Sequence, residues 1–219
     1  STAMALTPPQ VEAIRRAVRG WRRGRGLCGP RPDGQLEAII EVMLGTSARI
    51  GEALALRKCD VDVTCSPATV RICGTILSPA GKPTYRQDHP KTSKSRRVVS
   101  VPSFTAEVLR QRLVAVADQD PDHLLFFSRN HTPLTTNNVR RRLRAILDQA
   151  GIGGVTPHSF RRTVATVIDR AGGADLAAEM LGHTSSEITK KHYIEPDENV
   201  NPVTAQILES LAPQRNART

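Results

Sequence analysis

The chain has 219 residues, 39% of them apolar, with a formal charge of +10 and a sequence pI near 10.2. That length holds one sizeable core, and so basic a globule points to a polyanionic partner. Aromatics are 3% of the chain, too few for base stacking as the main binding mode. Cys28, Cys59, Cys65 and Cys73 form no CxxC pair, which argues for free thiols in a reducing compartment and against zinc. With no membrane-spanning apolar run and no visible signal peptide, a cytoplasmic protein of a bacterial cell is expected, with no membrane partner.

Residues 1–4 open with Ser-Thr-Ala before Met4 and read as an expression scar. Thr7-Pro8-Pro9 then supplies a cap and prolines for a helix to about Arg22, with Val11, Ile14, Val18 and Trp21 on one stripe. After a Gly/Pro/Arg loop over 24–34, Leu36, Ile39, Ile40, Met43 and Leu44 recur at helical spacing. Gly45-Thr46-Ser47 interrupts that helix, and a short helix from Ala48 to Leu56 follows. Residues 68–73 and 97–101 are rich in β-branched side chains and read as strands. A further strand near Tyr85 lies in the polar, basic connection between them, giving one small antiparallel sheet.

Ser103 reads as the cap of a helix to about Val116, and Leu124–Phe127 is a short apolar run of either type. Thr135 or Thr136 caps a helix to about Ala150, which carries Arg140, Arg141, Arg142 and Arg144. Thr156-Pro157 opens the next helix, and others are expected near 174–181 and 185–191. A tail over 194–219 begins polar, then carries Val203, Ile207, Leu208 and Leu211 at helical spacing. The fold class is therefore α+β, mainly α, with a small antiparallel sheet.

Several clusters carry chemistry. Arg49 and Glu52 stand three apart and share a helix face, which by itself describes an ordinary surface ion pair. His158 and Arg161 share a face at a helix start, where free N–H groups and a guanidinium suit an anion. Gly182 can end a helix, leaving His183 in a turn, and Tyr193 follows Lys190-Lys191-His192. Taken singly, each residue is better read as structural.

Their order changes the reading. Arg-x-x-Glu, a basic strand pair, His-x-x-Arg, Gly-His and a terminal Tyr resemble the tyrosine recombinase, or phage integrase, family, from about Leu6 to Tyr193. The resemblance implies a helical catalytic domain over 5–193. It implies Arg49, Lys91, His158, Arg161, His183 and Tyr193 as the catalytic set, with Glu52 as a buttress and Lys94 as the lesser candidate for the lysine. It also implies that Tyr193 attacks a DNA phosphodiester, leaving a 3′-phosphotyrosine and a 5′-hydroxyl. A phenol of pKa near 10 needs a base, and His158, held by Glu52, is the candidate. His183 would bond a phosphate oxygen, Arg49 and Arg161 would fork onto the others, and Lys91 would protonate the leaving oxygen. Arg162 stands where many relatives carry His.

This machinery needs no cofactor and no metal, since the arginines and lysine supply the positive charge. Lys94, Arg96, Arg97, Arg140, Arg141, Arg144 and Arg162 are candidates for phosphate contacts on double-stranded DNA, with a solvated helix face as the alternative for 140–144. The resemblance implies a monomer when free and a homotetramer on synapsed DNA. The tail would fold back on its own domain when free and exchange between protomers at synapsis. Two other functions use the same features: a type IB topoisomerase and a non-catalytic DNA-binding regulator.

Overall fold

The computed structural model describes residues 4–22, 32–89, 95–182 and 199–214. Among them, α1 (Pro8–Gly20) starts as the sequence suggests, with Thr7 and Gln10 forming a reciprocal cap. The next helix, α2 (Gln35–Thr46), was expected to bury one face. Instead every residue of it except Glu37 is buried, Leu36, Ala38, Ile39, Ile40, Val42, Met43 and Leu44 among them. The reason is position. After α3 (Ile50–Leu54), the later helices α4 (Ser103–Ala115), α6 (Pro157–Gly172) and α8 (Val203–Leu208) join α1 and α3 in packing around α2. A helix buried on every side is the central one.

Gly45 makes that packing possible: a Cβ there would lie 2.0 Å from Thr105 Oγ1, which itself donates to the Glu41 carbonyl at 3.0 Å. Helices α5 (Thr136–Gln149) and α6 are capped at Thr135 and Thr156, and α7 (Ala174–Leu181) ends at Gly182 in the left-handed region. At α4 the expectation is corrected. Pro102 is the cap residue and Ser103 the first helical one. Ser103 N–H and Oγ both donate to the Glu209 carboxylate, at 2.6 and 2.9 Å, so a distant acid closes this helix start.

The strands form two small sheets rather than one. Strands β1 (Val61–Asp62), β2 (Thr69–Ile72) and β5 (Arg97–Ser100) lie in the order β1-β2-β5, antiparallel throughout. Strands β3 (Gly74–Leu77) and β4 (Tyr85–Asp88) form a separate antiparallel pair, with Thr75 opposite Gln87. The sheets thus supply a β2–β5 layer under the helices and a β3–β4 ribbon that packs on α3.

Leu125 and Phe126 are fully buried in an irregular segment tied to the Leu56 carbonyl. The tail returns to its own domain: Val200 N–H donates to the Val98 carbonyl at 2.9 Å, and Leu208 and Leu211 sit in the common core. Val203, at 39% exposure, is the outward member of the stripe. The helix expected over 185–191 and the loop over 24–31 lie outside the described residues.

Candidate active site

Four elements converge on one open cavity of about 240 Å³, lined by Arg49, Gly51, Thr75, Arg140, His158 and Arg161 among others. Arg49 caps α3, His158 stands in the first turn of α6, and Arg161 follows one turn later. Sequence positions more than a hundred apart therefore meet, and the two motifs become one site. Gly51 permits the close approach of the ribbon, since a Cβ there would sit 2.6 Å from Thr75 Oγ1.

Glu52 organises the Arg49 side of the cavity. Its Oε2 accepts from the Arg49 backbone N–H at 2.8 Å and from Arg97 Nη2 at 3.1 Å, and its Oε1 accepts from Arg49 Nη1 at 3.2 Å. Burial pushes the Glu52 carboxyl up. Arg97, the Arg49 N–H and the Arg49 charge outweigh that and hold it below its ordinary 4.5, so it is ionised. The Arg49 side chain, by contrast, is 46% exposed and borders the cavity. A buried anion thus fixes an accessible cation.

Arg161 is buried and held differently. Ser47, in the left-handed region at the end of α2, turns its carbonyl to Arg161 Nη1 at 2.5 Å, and the last carbonyl of α7, on Leu181, accepts from Nη2 at 2.7 Å. One guanidinium therefore ties together two helix C-termini, the ends that favour a cation. Burial, then the charges of Arg49 and Arg97, lower its pKa to about 10 despite Glu52. It stays charged at neutral pH, and the mutual repulsion of these arginines favours an anion between them.

Several expectations need correction. Arg97 is not on a DNA-facing surface: it is 3% exposed and its guanidinium is on Glu52. Period-2 alternation in β5 would have found this, because Arg97 shares a face with Val99 and Val101. Glu52 does not hold His158 among the described contacts; its partners are Arg49, Arg97 and the nearby His89. His158 is exposed at the cavity edge. Arg140, Arg141, Arg144 and Arg162 are all exposed, but of these only Arg140 lines the cavity, and Arg141 bonds Asn138. Arg96 is half-buried. Lys91, Lys94, His183 and Tyr193 lie outside the described residues. Sequence reasoning missed Thr75, Ile76 and Thr136 as lining residues; they carry no motif, and only the fold brings them there.

The family model described as the phage integrase family matches residues 7–199. The chain belongs to the phage integrase family. Tyrosine recombinase XerD of Corynebacterium glutamicum is 30% identical over 159 residues, covering 70% of this chain and 46% of that protein. An integrase of Streptomyces ambofaciens is 28% identical over 226 residues, covering 98% and 55%. The chain spans about half the length of the curated relatives it matches. Among solved structures, the Tn1549 transposon integrase in complex with a circular intermediate DNA aligns with TM-score 0.68 at 21% identity, covering 87% of this chain and 60% of that one. XerA recombinase aligns with TM-score 0.60 at 21% identity, covering 97% and 65%. At that identity the structures establish the fold: a helical integrase catalytic domain with small antiparallel sheets.

Proposed function

We propose that this phage integrase domain cuts and rejoins double-stranded DNA in site-specific recombination, through a covalent 3′-phosphotyrosine at Tyr193. The observation that carries the reading is the meeting of Arg49, His158 and Arg161 around one cavity, with Glu52 buried behind Arg49. Similar proteins in solved complexes are bound to DNA, which supports DNA as the partner.

The Tyr193 oxygen attacks phosphorus in line, and the bond to the 5′-oxygen breaks. The phenolic proton goes to His158, which borders the same cavity as Arg49 and Arg161. The departing 5′-oxygen takes a proton from Lys91. Charge gathers on the non-bridging oxygens, where Arg49 and Arg161 supply fixed positive charge, and His183 donates a further hydrogen bond. The arginines do here what divalent ions do in many nucleases, so the reaction uses no metal and no cofactor. Rejoining is the reverse step: a 5′-hydroxyl attacks the phosphotyrosine, whose bond energy replaces an external energy source. Arg140 extends the positive rim of the cavity toward the DNA backbone. Four protomers act on two paired sites, and the tail, folded in cis in this structure, exchanges between them.

The test is covalent trapping on a pool of nicked duplexes of random sequence. Wild-type protein forms an adduct that survives denaturation, and Tyr193→Phe binds the same DNA without forming one. Equal trapping of both proteins removes Tyr193 from the mechanism.

A further inference from the structure

One largely buried imidazole outside the proposed machinery, that of His89, faces the Arg49–Glu52 corner. His89 follows the last residue of β4, and its backbone N–H donates to the Cys73 carbonyl at 2.7 Å. Its side chain is 16% exposed, and its Nε2 is 3.8 Å from Glu52 Oε1. That nitrogen is buried and makes no hydrogen bond among the described residues.

The two oxygens of Glu52 are held unequally. Oε2 is taken by a backbone N–H and by the buried Arg97. Oε1 is taken by Nη1 of Arg49, whose side chain is half-exposed and borders the cavity. An anion in the cavity draws the Arg49 guanidinium away, and a buried carboxylate oxygen stripped of its donor is costly. Among the described residues, the His89 nitrogen is the further polar group near Oε1, at 3.8 Å.

We propose that His89 is a positioning residue that takes over Glu52 Oε1 through an Nε2–H donor when Arg49 turns to the scissile phosphate. The inference rests on the phosphodiester reading above. Closing the gap by roughly 1 Å reaches ordinary hydrogen-bond distance. The proton state agrees. Burial lowers the His89 pKa below its ordinary 6.5. Glu52 opposes that, and the charges of Arg97 on β5, Arg86 on β4 and Arg49 at the α3 cap lower it further. The ring is therefore neutral near pH 7, able to donate one N–H without adding a fourth cation to the corner. His89 also stands two positions before Lys91, the proposed acid, in the sequence.

Wild type, His89→Leu and His89→Gln are compared in single-turnover adduct formation on the nicked-duplex pool, with DNA affinity and melting temperature measured alongside. Loss of the donor in His89→Leu slows adduct formation about tenfold or more at unchanged affinity. His89→Gln keeps an N–H of similar reach and stays within about threefold of wild type. A Leu variant as fast as wild type overturns the inference, and so does equal slowing of both variants. Nitrogen NMR of the DNA-free wild-type protein gives an independent reading, including where the Leu variant does not fold. The Nε2–H tautomer is required, and the Nδ1–H tautomer overturns the inference whatever the activity. Absence of any wild-type adduct counts against the phosphodiester reading instead, and the tautomer then still decides this one.

Discussion

Glu41 and Glu52 are both almost fully buried, and each is met by arginine. Glu41 receives Arg15 in a two-pronged contact, 2.7 Å on each prong, between α2 and α1. Both side chains are sealed, at 2% and 5% exposure, and the Arg15 guanidinium also lies over the Phe104 ring. Glu52 is sealed on one side by Arg97, at 3% exposure for each, and open on the other, where Arg49 is 46% exposed. Closed on both sides, such a pair can only hold helices together. Open on one side, it presents a fixed charge to whatever enters the cavity. The chemistry is the same, and the difference in function comes from which partner sees solvent.

The comparison breaks most visibly at the arginines. Arg49→Ala removes a cavity-facing charge and leaves Glu52 with Arg97 and a backbone N–H on Oε2 and, on the inference above, with His89 to take over Oε1. Adduct formation drops roughly a thousandfold, as for loss of one transition-state donor, while the melting temperature moves little. Single-turnover trapping and thermal unfolding of the same sample check both halves. Arg15→Ala does the reverse. It strands a buried carboxylate and costs about 3–5 kcal/mol of stability, read by urea unfolding, with the chemical step unchanged in the fraction that remains folded. An Arg49 variant that unfolds, or an Arg15 variant that is stable but inactive, erases the distinction.

A smaller effect sharpens it through pH. The Glu52 carboxyl is held below its ordinary 4.5, by Arg97 and Arg49 against the cost of burial. Its folded value is the lower one. Its contribution to stability is therefore complete above the unfolded value and is lost as pH falls through the folded value. Glu52→Gln removes that dependence, so the stability difference between wild type and the variant narrows as the solution is acidified below about pH 4.5. Urea midpoints at a series of pH values measure it. A difference independent of pH would mean that the arginines do not stabilise the ionised form.

Much of this molecule could be read in its sequence where the signal is local. The caps at Thr7 and Thr156 depend on neighbours three residues away and appear as expected, and of the two threonines open at α5 it is Thr135 that caps. The pairs Arg49/Glu52 and His158/Arg161 are local too, and only their order along the chain suggested that they meet. What escaped depends on distant partners. Strand β3 was hidden in a stretch read as polar connection, because its pairing is with β4 and its packing with α3. Ser103 was read as its own cap, since Glu209 lies 106 residues away. Arg97 was counted with the basic residues around it, though its place on β5 points it inward at Glu52. A charge in a basic run says nothing about its direction until the strand's face is known.

The smallest expected effect separates Arg97 from Arg140, two arginines that sequence alone put in one class. Arg140 is exposed and lines the cavity, whereas Arg97 is buried on Glu52. A side chain that neutralises a DNA phosphate releases about one counterion, so its loss lowers the slope of log affinity against log salt by about 0.9. Arg140→Gln is expected to show that decrease with stability unchanged within about 0.5 kcal/mol, the usual range for an exposed site. Arg97→Gln is expected to leave the slope alone, because no phosphate reaches a guanidinium enclosed behind Glu52. It weakens folding instead, by removing a charged donor from a buried carboxylate. Binding to a random-sequence duplex at several salt concentrations, beside urea unfolding, reads both. A reduced slope in the Arg97 variant would show that this arginine swings out to DNA on binding, and the contrast between a sealed and an open carboxylate would then hold for Glu41 alone.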